Sequence, residues 1–110
     1  MTSNVTLILT TVPDADTAQK LATQALDARL AACVSQQGVI HSTYHWQGKL
    51  ESADEIQLLF KTSAARALEL ELFIEKHHPY DTPEILCWQA TASVAYGQWV
   101  IAETQRPVHV

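Results

Sequence analysis

The clearest capacity for chemistry lies in an adjacent pair of imidazoles, His77 and His78, followed by Pro79-Tyr80 and, a little further on, by Glu84. Neutral imidazole serves Cu(II), Zn(II) and Ni(II), so the pair is a candidate site for a divalent metal. Successive helical side chains diverge by about 100°, so both rings reach one ion only if His78 has left its helix. Pro79 favours that, because the residue before a proline avoids the α region. Two imidazoles do not close a coordination sphere, and Glu84, water or a neighbouring subunit has to supply the rest. In the competing reading His77, with Lys76, answers the carbonyls at a helix C-terminus. His41 and His45 share a strand face about 13 Å apart, too far to chelate one ion alone. With His109 they remain sources of weaker metal binding.

A second constellation consists of Tyr44, Trp46, Lys61, Tyr80 and Glu84. Amphipathic aromatics beside a charge suit a small anion or zwitterion, and if these residues meet, they do so at a cleft between subunits. An enzyme is not indicated: there is no G-x-S-x-G elbow and no H-E-x-x-H. The glycines Gly38, Gly48 and Gly97 are too scattered to cradle a phosphate, and no organic cofactor is expected. Cys33 and Cys87 form no C-x-x-C pair and read as small buried hydrophobes.

These residues are carried by elements with plain signals. Val5 to Thr11 is a short β-branched run and reads as a central strand ended by Pro13. Asp14 or Asp16 caps a helix over about 15–30, with Ala18, Leu21, Ala22, Ala25 and Leu26 at helical spacing. From Ala31 to Trp46 the chain is β-prone, with a bulge at Gly38, and Gln47-Gly48 turns it into a return strand from Lys49 to Thr62. Ser63 is the expected cap of a second helix carrying Ala67, Leu70, Phe73 and Ile74. A last core strand follows from Ile85 to Thr91. A short third helix then places Tyr96, Trp99 and Val100 on one side. The order βαββαβ gives an α+β, ferredoxin-like sandwich with strand order 4-1-3-2, one domain over residues 1–110.

The 110 residues are 47% apolar and 17% charged, enough to build a core. A formal charge of −5 argues against nucleic acid, whose binders neutralise phosphates. Apolar runs are too short to enter a membrane, and Met1-Thr2-Ser3-Asn4 has no basic or hydrophobic leader character, so the expected compartment is the reducing cytoplasm. Two hairpin strands of about 14 residues run for about 46 Å, longer than the ~35 Å diameter of a domain this size. The distal half, roughly 38–55, therefore overshoots its own sheet and exposes edges together with Tyr44 and Trp46. Such an edge invites pairing with another chain, so self-association is expected.

Several segments in order resemble the divalent-cation tolerance (CutA) family: Pro13-Asp14 with Thr17-Ala18-Gln19, Leu30 to Cys33, Tyr44-x-Trp46-x-Gly48-Lys49, Lys61-Thr62, His78-Pro79-Tyr80-x-Thr82-Pro83-Glu84 and Tyr96-x-x-Trp99-Val100. The resemblance implies a ferredoxin-like homotrimer built like PII signalling proteins and associated with tolerance of copper and other divalent metals. The alternative is a PII-like trimer that binds a small ligand at the subunit cleft. Some bacterial members carry a cysteine, proposed with the double histidine as a copper site, where this chain has Thr10. That replaces a soft thiolate with a hydroxyl and leaves imidazole chemistry with Cu(II) or another divalent ion. The family's Ile-Pro-Gly-like stretch is here Ser35-Gln36-Gln37-Gly38.

Overall fold

The computed structural model describes residues 2–106; His109 lies outside them. The chain runs β1 (Thr2–Val12), α1 (Ala15–Asp27), β2 (Cys33–Trp46), β3 (Lys49–Thr62), α2 (Ala67–His77), β4 (Ile85–Ser93) and α3 (Val94–Glu103). All strand pairs are antiparallel in the order β2-β3-β1-β4, the ferredoxin-like arrangement read from the sequence.

Alternation along the central strands decides which side is core. Ile8 and Val12 on β1, with Leu58 and Phe60 on β3, are fully buried under Ala18, Leu21 and Ala25 of α1 and Leu70 and Ile74 of α2. The opposite face carries Leu7, Leu9 and Leu59, half-buried, with Leu86 and Trp88 directly beside them by register and 51% and 42% exposed. Among the described residues only α3 crosses that face, against the start of β1. Ile85 packs against the core, but the run Leu86 to Trp88 is an exposed edge rather than core, because β4 has a strand on one side alone.

Three local expectations are revised. Asp14 is the cap of α1, its carboxylate accepting the Thr17 N–H at 2.8 Å, but the helix ends three residues early. Arg29 takes the left-handed conformation (φ 59°), and Leu30 N–H returns to the Ala25 carbonyl at 3.0 Å. This is a Schellman ending built without its usual glycine. α2 starts at Ala67 with no side-chain cap, because the Ser63 hydroxyl is bonded to Thr104 Oγ1 at 2.9 Å instead. On α3 the buried stripe is Gly97 and Val100, continued by Thr104, while Tyr96 and Trp99 point outward and stack on each other with centroids 5.7 Å apart. Gly97 seats the helix on β1, since a Cβ there would collide with the Ser3 side chain.

The hairpin overshoots as expected. β1 stops pairing at Val12↔Ile56, whereas β2 and β3 continue to Trp46↔Lys49. Residues 40–46 and 49–55 thus form a free two-stranded ribbon about 23 Å long. The bulge falls between Gln36 and Val39 with Gly38 at φ 91°, and Gln47 (φ 50°) and Gly48 (φ 78°) make the tip.

Candidate functional site

The ribbon base and the loop from α2 to β4 enclose an open cleft of about 730 Å³. On β2, residues 42, 44 and 46 alternate onto one face, and register places Glu55, opposite Ile40, on that same face. The loop turns the chain from the end of α2 back to β4 and brings Tyr80, Asp81 and Glu84 to the other wall. Tyr44, Trp46, Tyr80 and Glu84, four of the five expected cleft residues, therefore meet within a single chain.

Lys61 does not join them. It pairs with Leu7 and Cys33 by register, and its ammonium donates to Ser35 Oγ and lies 3.7 Å from Cys33 Sγ, at the far end of the sheet. The charges facing the cleft are instead carboxylates: Glu55, Asp81 and Glu84, with no Lys, Arg or His among its lining residues. Within one chain this removes the ground for an anionic ligand. Glu55 and Asp81 were not singled out from the sequence. Glu55 is 8% exposed, and its Oε2 accepts the Tyr80 hydroxyl at 3.0 Å. Burial, then the Glu55 carboxylate, pushes the Tyr80 phenol up to about 12, so Tyr80 stays protonated and holds its donor on Glu55.

The two histidines are separated by how their lone pairs are spent. His78 has left the helix (φ −75°, ψ 138°) and is buried. Its Nε2 faces the Thr11 carbonyl at 2.8 Å, which can only accept, so Nε2 carries the proton. Its Nδ1 therefore has the lone pair and accepts the Tyr80 N–H at 3.1 Å. Both nitrogens are engaged, and a metal ligated by His78 has to displace Tyr80. Burial holds this imidazole below the ordinary histidine range, against the opposing pull of the Thr11 carbonyl and Glu55. His77 donates Nδ1–H to the Phe73 carbonyl at 2.9 Å, as a residue at a helix C-terminus does, leaving Nε2 for a ligand. It opens on a separate groove beside Asp16, Lys20 and Gln24.

Thr10 is fully buried with its hydroxyl unpaired among the described residues. It lies on the helix-facing side of β1 in register with Leu58, away from the cleft. Among the described residues no three His, Cys, Asp or Glu side chains are grouped to hold a metal ion. Cys33 and Cys87 are free thiols but not the buried hydrophobes expected, since Cys33 is half-buried and Cys87 is exposed on the edge strand β4; no described helix is long and apolar enough to cross a membrane.

Known proteins agree with this architecture. The family described as CutA1 divalent ion tolerance protein matches residues 6–103. The divalent-cation tolerance protein CutA of Yersinia pestis (strain Pestoides F) is 48% identical over 84 residues, covering 76% of this chain and 71% of the relative. CutA from Synechococcus elongatus PCC7942 superposes with a TM-score of 0.88 at 38% identity, covering 94% of this chain and 92% of its own. CutA from Xylella fastidiosa gives 0.88 at 38% identity, over 92% and 98%. The matched span runs from β1 through α3 and includes the ribbon, the cleft loop and both histidines; this chain belongs to the CutA1 divalent ion tolerance protein family.

Proposed function

We propose that the chain acts as a cytoplasmic homotrimer in divalent-cation tolerance, taking up Cu(II) or another divalent ion through imidazole. The observation that carries the metal assignment is the free Nε2 of His77, whose ring is fixed through Nδ1 by the Phe73 carbonyl. A ligating imidazole with its second nitrogen bonded to a backbone carbonyl is held in one tautomer and orientation. His78 enters the coordination sphere only if it gives up Tyr80. One imidazole per chain makes a weak site, and a trimer supplies three. Assembly is supported by the uncovered face at Leu86 and Trp88 and by the ribbon beyond it.

The test titrates Cu(II) into wild type, His77→Ala and His78→Ala, with mass measured by sedimentation. Loss of binding in His77→Ala, with binding kept in a less stable His78→Ala, is the expected pattern. Undiminished binding in His77→Ala overturns the site, and a stable 12.2 kDa monomer at micromolar concentration overturns the trimer. A second reading, a PII-like small-ligand protein, is favoured by the aromatic and acidic cleft at the ribbon base.

A further inference from the structure

The groove on which His77 opens constrains the form in which a metal arrives, and this inference rests on the metal reading above. The groove has a volume of about 460 Å³, within the range of sites that take small organic molecules, and lies between α1 and the end of α2. The helices cover one face of the sheet and the proposed trimer uses the other, so assembly leaves this groove on the outside. A bare divalent ion finds too little here. His77 offers one lone pair, at Nε2, and among the described residues no three His, Cys, Asp or Glu side chains are grouped around an ion. One imidazole does not close a coordination sphere. The ring is nevertheless fixed: Nδ1 is tied to the Phe73 carbonyl, and the imidazole lies against the Phe73 ring with centroids 4.2 Å apart. Such a ligand suits an ion that has one position open and its others already filled.

The rest of the lining says what fills them. Asp16, Lys20 and Gln24 follow one another at i, i+4 along α1, so their polar ends share one wall of the groove. Among the described residues neither Asp16 nor Lys20 stands in an ion pair. Lys20 repels a free cation but pairs with a carboxylate, while Asp16 accepts from an N–H. A metal chelated by an α-amino acid presents both groups at once. Its coordinated amine keeps N–H donors, its carboxylate keeps one oxygen off the metal, and positions on the ion stay open to imidazole.

We propose that this groove takes a divalent ion as its one-to-one chelate with an α-amino acid. His77 Nε2 displaces one water from the metal with no change of oxidation state, Lys20 pairs with the chelate's carboxylate, and Asp16 accepts from its amine.

The test uses the full chain, 15N-labelled, and Ni(II), which imidazole binds and which leaves the two thiols unoxidised. Three complexes are titrated at constant ionic strength: Ni(II) with one glycine, Ni(II) with one ethylenediamine, which matches glycine in size but has no carboxylate, and Ni(II)–EDTA, which has no position open. The glycine complex is expected to broaden the amide signals around His77, Asp16 and Lys20 and to bind about threefold more tightly than the ethylenediamine complex. Native mass spectra should show glycine retained on the chain with the metal. Lys20→Met should abolish the preference for glycine, His77→Ala should lose both open complexes, and Ni(II)–EDTA should broaden nothing in the groove. The chelate is overturned, with His77 left standing as a ligand, if glycine is lost on binding, if ethylenediamine serves as well, or if Lys20→Met keeps the preference. If His77→Ala retains the broadening, or Ni(II)–EDTA reproduces it, the metal reading falls together with the chelate.

Discussion

Protonating His78 should destabilise the fold, because the buried ring is built around its neutral form. At 8% exposure the imidazole donates from Nε2 to Thr11 and accepts at Nδ1 from Tyr80, so a second proton at Nδ1 ejects the Tyr80 N–H. Burial lowers the folded-state pKa below the reference of 6.5, and only part of that is restored by the Thr11 carbonyl and Glu55. The unfolded chain then takes up this proton first. Stability from His78 is intact above about pH 6.5 and is lost as pH falls from there towards the lower folded-state value. One proton sets a ceiling of about 1.4 kcal/mol per pH unit on that loss. His78→Gln keeps a donor for Thr11 but cannot titrate. At pH 8 it should cost about 1 kcal/mol or more for the weakened Tyr80 contact, and its stability should then run flatter between pH 7.5 and 5. Urea denaturation at fixed protein concentration measures both curves. Parallel curves for the two proteins, or a wild type that gains stability as pH falls, would refute the neutral-tautomer argument.

Thr10→Val should stabilise the chain by about 1 kcal/mol, since it removes a fully buried unpaired hydroxyl with little change of shape; a lower urea midpoint at unchanged slope would count against it. Gly97→Ala should cost about 1–3 kcal/mol by forcing α3 off Ser3, and combining it with Ser3→Gly should recover most of the loss in a double-mutant cycle. Trp46→Ala should weaken the proposed trimer by about 2 kcal/mol or more, read as a melting temperature newly dependent on protein concentration. Unchanged melting at nanomolar concentration would show that Trp46 is no anchor.

The element order and the long hairpin were legible because glycine and proline mark their ends: Pro13 after β1, Gly38 at the bulge, Gly48 at the tip and Pro79 after α2. Boundaries failed where the deciding partner was remote or atypical. Arg29 closes α1 in a conformation expected of glycine, and Ser63 abandons its capping role for Thr104, 41 residues away. On α3 the side that carries Tyr96 and Trp99 was legible, but not that close approach to β1 selects the smallest residue, Gly97, for the buried stripe. Strand alternation alone is enough to put Tyr44 and Trp46 on one face. Glu55 was missed for the same reason that most acidic residues in a hairpin are passed over, as solvated charge; only the register shows that it faces Tyr80. How the His77 and His78 lone pairs are spent depends on the Phe73 and Thr11 carbonyls and the Tyr80 N–H, which no local spacing encodes.

The sheet has two faces and this chain covers one. α1 and α2 bury Ile8, Val12, Leu58 and Phe60 completely, while Leu7, Leu9 and Leu59 on the other side stay half-buried beside an exposed Leu86 and Trp88. The ribbon of residues 40–46 and 49–55 has the complementary deficit, two strands with no layer beneath them, and such a pair is marginal alone in water. Laying the ribbon of one copy on the open face of the next satisfies both needs with one contact. That contact is head-to-tail, so it either closes into a ring or propagates as a fibre. The proposed trimer is the closed solution.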